Sequence, residues 1–184
     1  LSLARLGHEV LSLSRGRTDR NEAALDQLAA GGIAVAFEPD LTDVTALAER
    51  LRGSEVVVVA SRASPRILEA LEPSLLEAAR KADVGRFVPS EFGTHTMAVP
   101  YGVSGQLDTK KRFQELLFGS GLGWTIVYGG GIAEYFLPNL RAGDTIEVLG
   151  DTALVWPTHL LSDIAAVSAL AVTDERTMNA AVQL

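Results

Sequence analysis

Apolar residues switch along this chain between short β-branched runs and the wider spacing of amphipathic helices. Glu55–Ala60 (EVVVVA) is a continuous β-branched run, the mark of a strand buried on both faces of a parallel sheet. His8–Ser14 and Ile33–Phe37 read as earlier strands. Leu1–Leu6 has helical spacing, and Gly7 fits the position just past a helix end. Asn21 is placed to cap a helix running through Ala30 and closed by Gly31-Gly32, and Asp43 to cap one through Leu51. Ser64-Pro65 opens a further helical stretch, which Pro73 divides into Arg66–Leu71 and Ser74–Ala82. Then come a short strand at Arg86–Pro89, a helix at Asp108–Phe118 with Asp108 as its cap, and a strand at Trp124–Tyr128. The tail reads as a helix at Ala133–Leu140, strands at Thr145–Leu149 and Ala153–Trp156, a helix near Ser162–Val172 and an extended Ala181–Leu184.

Strands alternating with helices of about ten residues define βαβ units, hence an α/β fold with a doubly wound parallel sheet and right-handed crossovers. Ligands in such sheets sit beyond the carboxyl ends of the strands. The informative residues are therefore Arg15, Ser61, Ser90–Gly93 and Gly129–Gly131.

Composition narrows the chemistry. The chain has 184 residues, 47% hydrophobic and 21% charged, which suits one folded domain. A formal charge of −7 argues against tracking nucleic-acid phosphates. No apolar run approaches a membrane span, and no targeting segment opens the chain, so a cytoplasmic protein is expected. Without cysteine, and with His8, His95 and His159 scattered singly, no metal site is expected. The chain opens Leu-Ser-Leu without Met, which suggests a piece of something longer.

The strand ending Leu13-Ser14-Arg15-Gly16-Arg17 carries no acid until Asp19. At the second strand of a dinucleotide fold an acid favours NAD, whereas arginine accommodates the 2′-phosphate of NADP. Two solvated loop arginines are the plain alternative. A G-x-G-x-x-G turn should lie upstream, and nothing here matches it; Gly129-Gly130-Gly131 lacks that spacing. On the Asp108–Phe118 helix the apolar stripe is Phe113, Leu116 and Leu117. Lys110 falls beside that stripe and should face the protein, while Lys111 should face water and pair with Glu115. A lysine aimed inward with no acid on its own face suits acid–base work; a snorkelling lysine is the alternative. Tyr101 is followed at the fourth position by Gly105, so the Tyr-x-x-x-Lys pair of common short-chain dehydrogenases is missing. Ser104 lacks the glycine pattern of a nucleophile elbow, and His159 with Asp163 reads as a helix-start contact.

Arg86-Phe87-Val88-Pro89-Ser90-Glu91-Phe92-Gly93 resembles the signature of the isoflavone reductase-like, NmrA-like branch of atypical short-chain dehydrogenases. Gly7-His8-Glu9-Val10, Ser14-Arg15, Asp40-Leu41, Val56–Ser61, the Lys110 helix, Trp124–Val127 and Asp163-Ile164-Ala165 fit the same family in order. The resemblance covers essentially the whole chain. It implies an NADP-binding Rossmann domain: a core over residues 1–128, then part of a small substrate lobe and the last core elements over 129–184. It further implies an NADPH-dependent reductase of small aromatic, enone or quinone-like compounds, with a homodimer compatible. A dinucleotide sensor that binds a protein partner, or an inactive remnant, are the alternatives.

Carried over residue by residue, Ser14, Arg15 and Arg17 stand at the adenosine phosphate, and Ser61 lies beside the cofactor. Pro89, Ser90 and Phe92 stand near the nicotinamide, and Lys110 is the general acid or base. Gly130, Tyr135 and Phe136 face substrate, and Trp156 is a further aromatic for the pocket. Where reductases often carry Asn after the Trp124 strand, this chain has Tyr128 and three glycines. The family's first strand and glycine-rich loop would precede Leu1. Without that central strand, inner strand edges would be left unpaired and NADP binding weak.

Overall fold

The computed structural model describes residues 1–61, 64, 67–135, 153 and 157–184. Its elements are α1 (Ser2–Arg5), β1 (Leu11–Ser14), α2 (Glu22–Ala30), β2 (Ala34–Phe37), α3 (Val44–Leu51) and β3 (Val56–Val58). A π turn at Ile67–Leu71 leads into α4 (Glu72–Lys81), followed by β4 (Arg86–Val88), α5 (Gly105–Phe118) and β5 (Gly123–Tyr128). Short strands β6 (Gly131–Ile132) and β7 (Thr158–His159) precede α6 (Leu161–Thr173) and β8 (Ala180–Gln183). The expected strands at Thr145–Leu149 and Ala153–Trp156, most of the Ala133–Leu140 helix, and the site residues Phe136 and Trp156 lie outside the described residues.

Every strand pairing among the described residues is parallel, as the βαβ pattern predicts. The strands form separate ladders, however: β1-β2, β3-β4-β5-β8 and β6-β7. Among the described residues no ladder joins β1 to β3, and along β3 Val57 and Val59 are buried while Val58 on the opposite face is exposed. This corrects the expectation that the EVVVVA strand is covered on both faces. It matches the expected loss of pairing between inner strands.

Local chemistry explains most boundaries. The Asp43 carboxylate accepts the N–H groups of Thr45 (2.9 Å) and Ala46 (3.0 Å) and caps α3 as expected. Asn21 makes no such cap. Its Oδ1 accepts the Thr18 N–H (2.7 Å) and its Nδ2 donates to the Gly16 carbonyl (2.9 Å), which braces the loop after β1. Asp108 lies inside α5, where its carboxylate accepts the Gly102 N–H (3.1 Å); Ser104 stands at the start of that helix. Proline has no N–H to donate, so Pro73 interrupts the regular ladder, and the chain accommodates it by widening the preceding turn rather than breaking into two helices.

The core lies between the four-stranded ladder and α3, α4 and α5, with Leu47, Leu76, Ala79, Phe87, Phe113 and Leu117 buried together. Arg86 pins α6 to this sheet. Its buried guanidinium Nη1 donates to the carbonyls of Val172 (2.7 Å), Asp174 (3.1 Å) and Ala171 (3.4 Å), at the negative end of the helix dipole. Asn179, at φ 55°, exchanges hydrogen bonds with the Trp124 backbone and steers β8 onto β5.

Candidate cofactor and active site

Beyond the carboxyl end of β1, Ser14, Arg15, Gly16, Thr18 and Asn21 line a hollow of about 360 Å³. The braces from Asn21 to Gly16 and Thr18 shape it, and the Ser14 hydroxyl donates to the Gly16 carbonyl (3.1 Å). Arg15 is exposed at its mouth. Arg17 is drawn away instead: it pairs with Asp26 (2.7 Å) and Glu22 (3.7 Å). Two phosphate-facing arginines were expected, and the geometry leaves only Arg15 uncommitted to an acid. A guanidinium in a hollow lined by no carboxylate fits a phosphate group.

A second polar cluster lies past the carboxyl end of β4. Ser90 is its crossroads. Its N–H donates to the Glu72 carboxylate (2.8 Å), and its carbonyl accepts from the Lys110 ammonium (2.6 Å). Its hydroxyl donates to the Ser61 carbonyl (2.8 Å) and accepts the Ser61 N–H (3.2 Å). The loops after β3 and β4 are thereby tied together, and the buried Ser61 hydroxyl has no partner among the described residues. Pro89 is buried and Phe92 half-buried beside this cluster.

Lys110 faces the protein, as the helical phase predicts, and is 7% exposed. No acid shares its face of α5, but the loop after β4 supplies one. Glu91 Oε2 lies 3.5 Å from the ammonium, and the same oxygen accepts the Thr96 hydroxyl (2.7 Å). Lys111 corrects the reading more sharply: it is buried, donates to the Val99 carbonyl, and stands 4.7 Å from the centre of the Tyr101 ring. Glu115 hydrogen-bonds the Tyr101 hydroxyl (2.8 Å) instead. Both partners of Lys111 come from the loop before α5, which carries no periodic signal.

Glu72 was missed altogether. It is buried, and desolvation pushes its carboxyl up to about 7 against the pull of the Ser90 N–H and of Lys110. Tyr128 is also buried; desolvation pushes its phenol up to about 12, and it donates to Gln114 Oε1 (2.9 Å) while the His95 ring lies 4.4 Å away. A phenol held that high stays protonated at neutral pH.

Two of the three glycines after Tyr128 have a packing reason. A Cβ on Gly129 would meet the Phe92 carbonyl at 2.8 Å. One on Gly130, at φ 66°, would meet the Pro157 carbonyl at 2.6 Å. The Gly130 N–H donates to Gly93 (3.0 Å) and the Gly131 N–H to Pro157 (2.8 Å). This floor brings the 93 and 157 loops together. His159 Nδ1 sits 3.0 Å from the Gly129 carbonyl, and Glu134 accepts the Leu161 N–H (3.0 Å) at the start of α6; the expected contact of His159 with Asp163 is not what holds that start. Tyr135 is 68% exposed. Arg15 and Lys110 were expected along one sheet; each lies past the carboxyl end of a strand or packs there, but on ladders that share no hydrogen bonds.

Parallel strands with a guanidinium hollow at one strand end and a lysine clamped at another define a nucleotide-binding α/β protein. The chain belongs to the NAD(P)H-binding family, whose family model matches residues 3–153. Among curated proteins it is similar to an isoflavone reductase homologue of Arabidopsis thaliana, at 28% identity over 96% of this chain and 60% of that protein. It is likewise similar to isoeugenol synthase 1 of Petunia hybrida, at 26% identity over 95% of this chain and 56% of that protein. The chain thus spans well under two thirds of the length of these relatives. Solved structures share its fold: AtPrR2 with NADP+ and (+)-pinoresinol (TM-score 0.81, 23% identity, 99% of this chain and 63% of that one) and an isoflavone reductase (0.82, 20%, 99% and 63%). An NADPH-dependent quinone oxidoreductase of Escherichia coli complexed with NADPH also matches (0.80, 23%, 100% and 62%).

Proposed function

We propose that the protein is an NADPH-dependent reductase of small aromatic, enone or quinone-like compounds, with Lys110 as its acid–base residue. The observation that carries this reading is the Lys110 ammonium, buried on α5 and held 2.6 Å from the Ser90 carbonyl in the loop after β4. Arg15 would hold the 2′-phosphate of the dinucleotide, and the linked Ser61 and Ser90 loops would form the wall beside its nicotinamide. NADPH, when bound, supplies the hydride. Lys110 Nζ would donate a proton to the substrate oxygen that gains negative charge, and Phe92 would help exclude water. Residues 1–128 would form the dinucleotide-binding core, and residues after Tyr128 the start of a substrate lobe around Gly130 and Tyr135. The pinoresinol bound with NADP+ in AtPrR2, and the isoflavone and quinone in the names of the other two reductases of this fold, support this substrate class.

The test is product formation from a panel of quinones, enones and phenylpropanoids at several millimolar NADPH. Lys110→Ala should cut turnover at least ~100-fold while leaving cofactor binding within twofold. Turnover unchanged in that variant overturns the role of Lys110, and no turnover with any panel member overturns the reductase reading.

A further inference from the structure

We propose that Glu72 is a positioning residue for Lys110, acting through the backbone of Ser90. Ser90 is gripped on both sides of its Cα: the Glu72 carboxylate takes its N–H at 2.8 Å and the Lys110 ammonium reaches its carbonyl at 2.6 Å. All three residues are buried, so neither contact competes with water. The Glu72–Ser90 bond fixes where the Ser90 carbonyl stands, and that carbonyl fixes the ammonium. Glu72 opens α4 directly after the π turn at Ile67–Leu71, with Pro73 in the first turn of that helix.

The charges facing this pair are few. Lys110 comes from α5 and Glu91 from the loop after β4, and both act on Glu72 across the same pocket. His95 lies further out, stacked on Tyr128. Above neutrality an ionised Glu72 holds the lysine charged; below it, a protonated Glu72 relaxes that hold. The consequence for turnover rests on the reading of Lys110 as the acid–base residue, but the coupling can be measured without turnover.

The chain has three lysines, Lys81, Lys110 and Lys111, so lysine labelled with ¹³C at Cε gives three resonances, assigned through Lys81→Arg and Lys111→Arg. In the wild-type chain the Lys110 resonance should show an inflection near pH 7, where Glu72 titrates. Glu72→Gln, which keeps an acceptor for the Ser90 N–H, should abolish that inflection. An inflection that persists in Glu72→Gln, or none in the wild type, overturns the proposal. Should Glu72→Gln fail to fold, Glu91→Gln and His95→Gln decide: an inflection retained in both supports Glu72, and one lost in either overturns the proposal. A reductase assay that fails while this coupling is present would sink the function and leave the positioning intact.

Discussion

Glu72 makes a stability prediction of its own, with a definite sign. An exposed glutamate titrates near 4.5, and burial lifts Glu72 to about 7 in the folded chain. Below pH 4.5 both states are protonated and Glu72 carries no penalty. As pH rises from 4.5 to 7 the unfolded chain ionises first, so stability falls by roughly 1.4 kcal/mol per pH unit. Above 7 both states are ionised and the penalty levels off at about 3 kcal/mol. Glu72→Gln cannot ionise. The gap between the variant and the wild type should therefore move by about 2.5 kcal/mol in the variant's favour between pH 5 and pH 8. Using the difference removes carboxylates common to both chains, such as Asp174, held down at about 2 by its hydrogen bonds to Arg176. Urea unfolding at the two pH values reads the gap directly. A gap that stays constant within about 0.5 kcal/mol would refute the picture of a carboxyl kept neutral by burial.

Four further outcomes follow from particular contacts. Arg86→Met strips three carbonyls at the end of α6 of their buried donor and should cost about 2–4 kcal/mol, read as a drop in thermal midpoint; a loss below about 0.5 kcal/mol contradicts the pinning of α6 to the sheet. Gly130→Ala forces a side chain into a left-handed conformation against the Pro157 carbonyl and should cost about 2 kcal/mol, with faster hydrogen exchange at the Gly131 N–H; unchanged exchange contradicts the glycine floor. Calorimetry of the 184-residue chain should give a Kd for NADPH weaker than about 1 mM, because β1 and β3 share no ladder to align the two halves of the cofactor groove. In the same chain ³¹P spectroscopy should show a 2′-phosphate shift that Arg15→Ala removes. A micromolar Kd, or a shift indifferent to Arg15, would refute these two expectations respectively.

What the sequence made legible was whatever is encoded locally. The cap at Asp43 and the inward phase of Lys110 both follow from spacing within a turn or two, and the Arg86–Gly93 signature is contiguous. Lys111 was misread because periodicity ranks residues by the helix alone, whereas its burial comes from Val99 and Tyr101 folding over it. Glu72 was invisible for a related reason. An acid in the first turn of a helix normally complements the dipole at the surface, and the preceding π turn shifts its phase by an amount no fixed 100° wheel contains. Arg17 failed on competition, since Asp26 on α2 lies one helix away in sequence yet within hydrogen-bond reach.

The distribution of buried polarity carries the final step. Glu72, Ser90, Glu91, Thr96 and Lys110 are buried charged or polar residues, and the bonds described above connect them into one cluster past the end of β4. Such a cluster is a poor way to stabilise a fold: desolvating a lysine and two carboxyls costs several kcal/mol per ion, and well-packed apolar residues of the same volume commonly do as well or better. Among the described residues the Ser61 hydroxyl, at the edge of this cluster, Gln114 Nε2, beside Tyr128, and Arg86 Nε are buried without partners. Sequences depart from the most stable arrangement at sites where another demand is being met. Arg86 offers the contrast, since its buried charge closes a helix end and has a structural purpose in full view. The cluster around Ser90 ties the loops after β3 and β4 to α4 and α5 through buried polar groups where apolar packing would serve, and that retained polarity is what the acid–base role proposed for Lys110 requires.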